Sequence, residues 1–260
     1  MDQVILLLGG IGDFLQCLPF IDANKDKPYR YACVSHLKGA KEFWNAVGLE
    51  LEGLFIFKNM DEQNQILNAL PKSVKYVHCP RAQYFPEFPF NLEKPLFTNG
   101  KPVVGVHING SAFAIDTQKR FGMILKSIPA KVIKELKSKE YNLMVFGLEE
   151  ELRGTGLRQS ETLKFVCHEN PAKSLAYVNQ CHAVVGSDSG IKTLSSMMKI
   201  PTFVWFGDYH DEPRDQMFID PYIKDGVMKV FRYKDVNAQF ERGMETVSYT
   251  HLTLPTIYSV

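Results

Sequence analysis

No stretch of this sequence is apolar over the roughly 20 residues that a membrane-spanning helix requires. The apolar run at residues 4–8 is short, and two glycines follow it where a secretory signal peptide would have a small-residue cleavage site. Internal repeats and low-complexity tracts are also missing. These absences argue against an integral membrane protein and a repeat array, and we expect a globular protein of the cytoplasm.

The sequence carries almost no net charge, because 30 Lys and Arg residues oppose 29 Asp and Glu residues. A nucleic-acid-binding surface normally requires a basic excess, so we expect no nucleic-acid partner. The apolar, aromatic and charged fractions, 45%, 12% and 23%, are those of soluble globular proteins. A chain of 260 residues can bury one large core or two small ones.

Paired cysteines are also missing. The five cysteines are odd in number and form no C-x-x-C pair, which predicts reduced, buried thiols; they are Cys17, Cys33, Cys79, Cys167 and Cys181. Two runs, Cys167-His168 and residues 209–212, carry metal-ligating side chains without the spacing of a closed zinc site. We therefore expect no metal and no cofactor.

Apolar runs alternate with amphipathic segments along the chain, which predicts an α/β fold of two Rossmann-like domains with a cleft between them. The predicted strands are 4–8, 29–35, 51–57, 74–78, 103–108, 143–146, 163–166, 183–185, 202–206 and 227–231. The predicted helices are one that begins near Phe14 and is kinked by Pro19, then 38–47, 62–70, 128–138, 172–180, 190–198 and 236–244. Residues 79–102 are dense in proline and aromatic residues, so we interpret them as a packed linker between a reduced N-terminal domain, 1–78, and a C-terminal domain, 103–246.

The most informative stretch is a strand–turn–helix unit in the second half of the chain. An apolar run at 183–185 enters the turn Ser187-Asp188-Ser189-Gly190, and an amphipathic helix follows. The first amides of a helix lack intrahelical partners and the helix dipole is positive there, so the turn suits a phosphate or diphosphate. The alternative is ordinary helix capping by Ser187 or Asp188.

A glycine-rich turn follows the first strand as well. The glycines of Gly9-Gly10-Ile11-Gly12-Asp13 allow a ligand to approach the backbone closely. The pattern differs from G-x-G-x-x-G with a downstream acid, which argues against a nicotinamide-dependent oxidoreductase.

Taken together, these motifs resemble those of family nine glycosyltransferases, the heptosyltransferase-like enzymes. The turn at Gly9–Asp13 with Phe14-Leu15 and Leu18-Pro19 looks like their N-terminal motif. Residues 104–107 with Gly110-Ser111 and then Lys119-Arg120-Phe121 are similar to the opening of their C-terminal domain, and residues 186–190, Leu194 and residues 201–207 to their donor-binding stretch.

The resemblance implies a GT-B type, inverting, metal-independent glycosyltransferase. Asp13 would be the general base, and Gly10 and Gly12 would form an acceptor-side phosphate loop. Lys119 would contact donor phosphate, with Arg120 as the competing assignment. The other donor-binding residues implied are Ser111, Ser187, Asp188, Ser189, Gly190 and Thr193. Asp208, Asp211 and Glu212 could border the ribose or sugar of the donor.

The resemblance also implies the partners: a nucleotide-diphosphate sugar, heptose-like or other, and a glycan or glycolipid acceptor, as in lipopolysaccharide biosynthesis. A lipid acceptor would bring the protein to the inner face of the membrane as a peripheral protein. Two features depart from the family pattern, because Thr193 stands where a histidine is usual and the N-terminal half is short. They favour the alternative of a non-catalytic nucleotide- or glycan-binding protein with the same fold. His107, inside an apolar strand, is interpreted as a core histidine with its hydrogen bonds satisfied.

The last residues, 247–260, look like the translation of a transposase-type sequencing adapter. We exclude them from the fold prediction, and we expect the natural C-terminus to differ from the one in the sequence.

Overall fold

A computed structural model describes residues 3–85, 87–108, 132–206 and 213–232. Two parallel sheets divide these residues in chain order. The first sheet has four strands in the order β3-β2-β1-β4, and the second has six in the order β10-β9-β8-β5-β6-β7. The strands are β1 Gln3–Gly9, β2 Arg30–Ser35, β3 Gly53–Ile56, β4 Lys75–His78, β5 Val103–His107, β6 Asn142–Phe146, β7 Leu163–Val166, β8 Ala183–Ser187, β9 Thr202–Phe206 and β10 Met228–Arg232.

Helices connect these strands, as parallel pairing requires. They are α1 Ile11–Ala23, α2 Ala40–Ala46, α3 Met60–Ala69, α4 described over 132–138, α5 Glu149–Gly154, α6 Pro171–Leu175, the 3₁₀ helix Ala176–Gln180, α7 Gly190–Met197 and α8 Pro213–Lys224. Among the described helices, none is long and apolar enough to span a bilayer.

The order of each sheet reverses at one place. In the first sheet the chain runs outward from β1 through β2 to β3 and then returns to place β4 on the other side of β1. In the second sheet it runs from β5 through β6 to β7 and then returns to place β8 beside β5. In open α/β sheets, ligands bind beyond the carboxyl ends of the strands at such switch points. We therefore expect ligand-binding residues at the carboxyl ends of β1 and β4 and of β5 and β8.

Strand β1 is apolar from Val4 to Leu8 because both of its faces are covered over its central residues. Ile5 and Leu7 lie in a cluster with Phe14 of α1, while Leu6 belongs to a separate cluster on the opposite face. The first of these clusters also contains Leu194 of α7, so it runs continuously from one sheet to the other. The two halves of the protein thus share buried apolar surface.

The predicted alternation of strands and helices is confirmed over the described residues, with boundary shifts of one to three residues at most ends. Two helices were missed, α5 and α8. Helix α8 carries Pro221 in its interior, which explains why no helix was predicted there. The predicted helix 172–180 is two pieces, α6 and a 3₁₀ segment. The predicted helix 236–244 and the adapter-like tail lie outside the described residues.

The segment 79–102 contains no helix or strand among its described residues, and several of its side chains and backbone groups contact the rest of the protein. Phe90 is buried against Phe43 of α2. The Gln180 amide, from the second half of the chain, accepts a hydrogen bond from Leu96 N at 3.1 Å. The hydroxyl of Tyr222, in the missed helix α8, donates to the carbonyl of Gln83. The segment is therefore fixed by contacts with both halves.

Four of the five cysteines are buried free thiols, as predicted. The exception is Cys167, which is partly exposed, so the prediction was wrong for this residue.

Candidate functional site

The turn after β1 fixes the carboxylate of Asp13. Helix α1 begins at Ile11 with Gly10 as its N-cap, and Asp13 is its third residue. The backbone N–H of Gly10 donates to Asp13 Oδ2 at 2.9 Å, which is the return half of a capping box. Gly9 has φ +104°, and a Cβ there would lie 2.5 Å from Asp13 Cγ. The first glycine is therefore required both by the turn and by the carboxylate behind it.

Arg81 holds the other oxygen of the same carboxylate. Its Nη2 lies 2.9 Å from Asp13 Oδ1, and the two side chains are each 34% exposed. Arg81 follows β4, the strand that lies beside β1 at the first switch point. The sequence analysis missed this residue, although a charged residue shortly after a predicted strand is a usable signal.

His36 lies on the other side of the glycine turn, just after β2. A Cβ on Gly10 would be 2.9 Å from its Cε1, so the imidazole lies directly against the backbone of the turn. Burial lowers the pKa of His36, and the negative charge of Asp13 raises it in part. Because burial has the larger effect, His36 is mainly neutral at pH 7. This residue was also missed by the sequence analysis.

The second turn presents the start of helix α7. The cap of this helix is Ser189, whose hydroxyl accepts from Lys192 N at 3.3 Å. The alternative in which Ser187 or Asp188 caps the helix is therefore wrong, because the turn places the capping residue one or two positions later. The carboxylate of Asp188 pairs instead with Lys192 Nζ at 2.7 Å. The amides of Gly190 and Ile191 come first in the helix and have no intrahelical acceptor available.

Two buried polar groups lie at the second switch point. They are His107 at the end of β5 and Ser187 at the end of β8, and His107 Nδ1 and Ser187 Oγ have no hydrogen-bond partner among the described residues. Burial lowers the pKa of His107 to about 4, while Asp188 raises it in part. The prediction that the hydrogen bonds of His107 are satisfied is thus not supported for Nδ1 in the described part of the chain.

Gly186 allows the carboxyl ends of β5 and β8 to approach each other closely. A Cβ on Gly186 would lie 2.7 Å from the His107 carbonyl oxygen and 2.8 Å from His107 Cβ. Any larger residue at position 186 would push the two strand ends apart.

The two turns meet. A Cβ on Gly12, in the first turn of α1, would lie 3.0 Å from Thr193 Oγ1 in the first turn of α7. A Cβ on Gly190 would lie 2.8 Å from Ile11 Cβ. The amino-terminal ends of α1 and α7 therefore touch, and the Asp13 turn lies beside the Asp188 turn.

Several predicted site residues can be placed on this geometry. The hydroxyl of Thr193 donates to the Ser189 carbonyl at 3.2 Å, and its side chain is buried against Gly12. Gly10, Gly12 and Asp13 belong to the first turn and Ser187–Gly190 to the second, and the two turns approach each other at Gly12 and Gly190. The other predicted contacts lie outside the described residues: Ser111, Lys119, Arg120, Asp208, Asp211 and Glu212.

Comparisons with known proteins bear on the fold. A scan against protein-family models found no match, and no curated protein sequence matches the chain. Solved structures do match. The ADP-heptose heptosyltransferase II of E. coli aligns with a TM-score of 0.61 at 11% identity, over 95% of this chain and 98% of that one.

Two further structures agree. A family 9 glycosyl transferase from Veillonella parvula aligns with a TM-score of 0.51 at 14% identity, over 94% of this chain and 89% of that one. A spinosyn rhamnosyltransferase complexed with thymidine diphosphate aligns with a TM-score of 0.53 at 10% identity, over 95% and 91%. The predicted fold class is thus confirmed: the chain has two Rossmann-like parallel sheets in the arrangement of GT-B glycosyltransferases.

Proposed function

We propose that the protein is a glycosyltransferase that moves a sugar, heptose-like or other, from a nucleotide-diphosphate sugar to a glycan or glycolipid acceptor. One observation carries the proposal. The start of helix α7 touches the start of helix α1, and the Asp13 carboxylate is held in the glycine turn from which α1 begins. This contact supports the proposal that the helix end that would receive the leaving group and the turn that carries the proposed base act together, on a fold shared with glycosyltransferases.

The charge of the leaving group explains why the start of a helix would suit this site. As the bond from the anomeric carbon to the diphosphate breaks, negative charge gathers on the phosphate oxygens. The amides of Gly190 and Ile191 and the dipole of α7 would stabilise that charge without a metal ion. Lys119 would add a positive charge to the same phosphate oxygens.

Asp13 would supply the base for an inverting transfer. The acceptor hydroxyl attacks the anomeric carbon from the side opposite the diphosphate, and its proton passes to the carboxylate. A carboxylate has about four lone-pair sites. The Gly10 amide occupies one lone pair of Oδ2 and Arg81 occupies one lone pair of Oδ1, so each oxygen keeps a lone pair for the incoming proton.

A second candidate function is a nucleotide- or glycan-binding protein without turnover. The observation that favours it is that both oxygens of Asp13 already have partners, so the carboxylate has a structural role in the capping box and the ion pair. The role in lipopolysaccharide assembly, the cytoplasmic location and the association with the membrane face all stay predictions.

The test starts from a panel of nucleotide sugars, scored by thermal stabilisation, because a ligand that binds only the folded state raises its apparent stability. The best donor is then assayed for transfer and for slow hydrolysis with the parent protein, with Asp13→Asn and with Lys119→Ala. We expect Asp13→Asn to bind donor like the parent and to lose both reactions, and Lys119→Ala to bind the nucleoside diphosphate more weakly.

A parent protein that binds donor and catalyses neither reaction against a broad acceptor panel would support the binding protein instead. Unchanged affinity in Lys119→Ala would remove Lys119 from the site.

A further inference from the structure

We propose that Arg81 is the positioning residue of Asp13: it fixes the orientation of the carboxylate that takes the acceptor proton. This inference rests on the proposed function, because it assigns a partner to the base of that reaction. Nothing in the sequence motifs pointed to Arg81. The assignment comes from its place at the switch point between β1 and β4.

The backbone around Arg81 is anchored on both sides. The N–H of Cys79 donates to the Leu6 carbonyl at 3.0 Å and so extends the pairing of β4 with β1 by one residue. The N–H of Ala82 donates to the Gln16 carbonyl of α1 at 2.8 Å. Residues on either side of Arg81 are thereby tied to the strand and the helix that flank the Asp13 turn.

The carboxylate itself is held from two directions. Asp13 Oδ2 accepts a hydrogen bond from the Gly10 amide, and Asp13 Oδ1 forms an ion pair with Arg81 Nη2, each at 2.9 Å. The first contact alone restrains only one of the two oxygens. The second contact holds the other oxygen as well, and together they determine which lone pairs face an approaching hydroxyl. Proton transfer requires this alignment, because small errors in the placement of a reacting group reduce rate steeply.

A purely structural role explains the ion pair less well. Both side chains are about one-third exposed, and ion pairs with that exposure contribute little to stability. The pair also holds the carboxylate of the turn from which α1 begins, and the start of α1 is the part of that helix that touches α7. Loss of Arg81 should therefore affect the chemical step more than the fold.

A double-mutant cycle tests this inference, using Arg81→Gln, Asp13→Asn and the double variant, with transfer measured over a range of donor concentrations that gives kcat and KM. We expect Arg81→Gln to lower kcat by about 10- to 100-fold, with the donor KM changed less than about threefold, because a base that is present and misaligned loses part of its contribution. In the Asp13→Asn background the same change should cost less than about twofold. Arg81→Lys should restore part of the rate.

Two further measurements keep the test decisive if the Asp13→Asn rate is too low to measure. Guanidinium ion added to Arg81→Ala should raise its kcat, and the melting temperatures of the Arg81 variants should stay close to that of the parent. The matched control is Arg30→Gln, which removes an exposed pair with Glu52 at the far edge of the first sheet. This control should keep the parent rate.

The outcomes separate the two claims. A parent protein with no transfer and no donor hydrolysis overturns the proposed function and the role of Arg81 with it. A parent protein that transfers sugar, with an Arg81→Gln loss that is equally large in the Asp13→Asn background or appears only in KM, overturns the positioning role alone.

Discussion

The two turns of this protein look alike in sequence and differ in what they do with their acidic residue. In the first turn Asp13 lies inside helix α1, closes a capping box and pairs with Arg81, which is distant in sequence and follows strand β4. In the second turn Asp188 lies before the cap of helix α7 and pairs with Lys192, four residues along the same turn.

Under the proposed function, this difference would separate the base from the diphosphate site. The first carboxylate is oriented by a residue distant in sequence, as expected for a group whose direction matters. The second pairs with a lysine of the helix that follows it, and the first amides of that helix lack intrahelical acceptors. We therefore expect a strand–turn–helix unit to provide a base where the acid lies inside the helix, and an anion site where the acid lies ahead of the cap.

The largest expected effect distinguishes the two acids directly. Asp13→Asn should lower sugar transfer by about 10²- to 10⁴-fold with donor affinity preserved, because it removes the base and keeps the shape. Asp188→Asn should change turnover by less than about tenfold, since no proton passes through it. The measurement is kcat for transfer together with donor affinity by calorimetry. Equal losses of kcat in the two variants would erase the proposed division of roles.

Each turn has a histidine near it, His36 against the first and His107 near Asp188 of the second, and His107 gives a pH prediction. Burial holds the pKa of His107 at about 4, below the value near 6.5 expected in the unfolded chain. The unfolded state therefore takes up the proton first, and stability falls as pH drops from about 6.5 to about 4, by on the order of 3 kcal/mol.

Chemical denaturation of the parent and of His107→Gln between pH 4 and pH 7.5 measures this effect. The substitution removes the titrating ring, so the parent should lose more stability than His107→Gln as pH falls, by on the order of 3 kcal/mol. A constant difference over the whole range would show that His107 does not carry this dependence.

The contact between the turns should be sensitive to a single methyl group. Gly190→Ala places its Cβ against Ile11, with Ile11 Cβ 2.8 Å away, and overpacking of this kind costs about 1–3 kcal/mol. Ile11→Ala in the same protein should recover part of that loss by making room. The free energy of unfolding is the readout. If Gly190→Ala is as stable as the parent, the two helix starts are not in contact in solution.

The smallest effect concerns the helix cap. Ser189→Ala removes the hydroxyl that accepts from Lys192 N and should cost about 1 kcal/mol, while Ser189→Gly should cost only a few tenths. The same test cannot be made at the first turn, because its cap is Gly10, which has no capping side chain to remove, and a Cβ there would contact His36 too closely. Equal stability of the alanine and glycine variants would mean that the Ser189 side chain does not cap α7.

The pattern of apolar residues was sufficient to predict the sheets, because strands buried on both faces, such as β1, give continuous apolar runs. Local motifs were also sufficient to find both turns. Helix α8 was missed because Pro221 interrupts its pattern. Arg81 and His36 were missed for a different reason: their importance depends on which strand ends become neighbours, and that is determined by the crossovers of the sheet.

The most direct test of the account is amide hydrogen exchange of the parent protein with and without nucleoside diphosphates, with ADP, UDP, GDP and thymidine diphosphate as probes. The diphosphate that binds should slow exchange at Gly190 and Ile191, whose N–H groups lack an intrahelical acceptor at the start of helix α7. A nucleotide that binds and slows exchange elsewhere while these two amides stay unprotected would show that the start of α7 is not the diphosphate site.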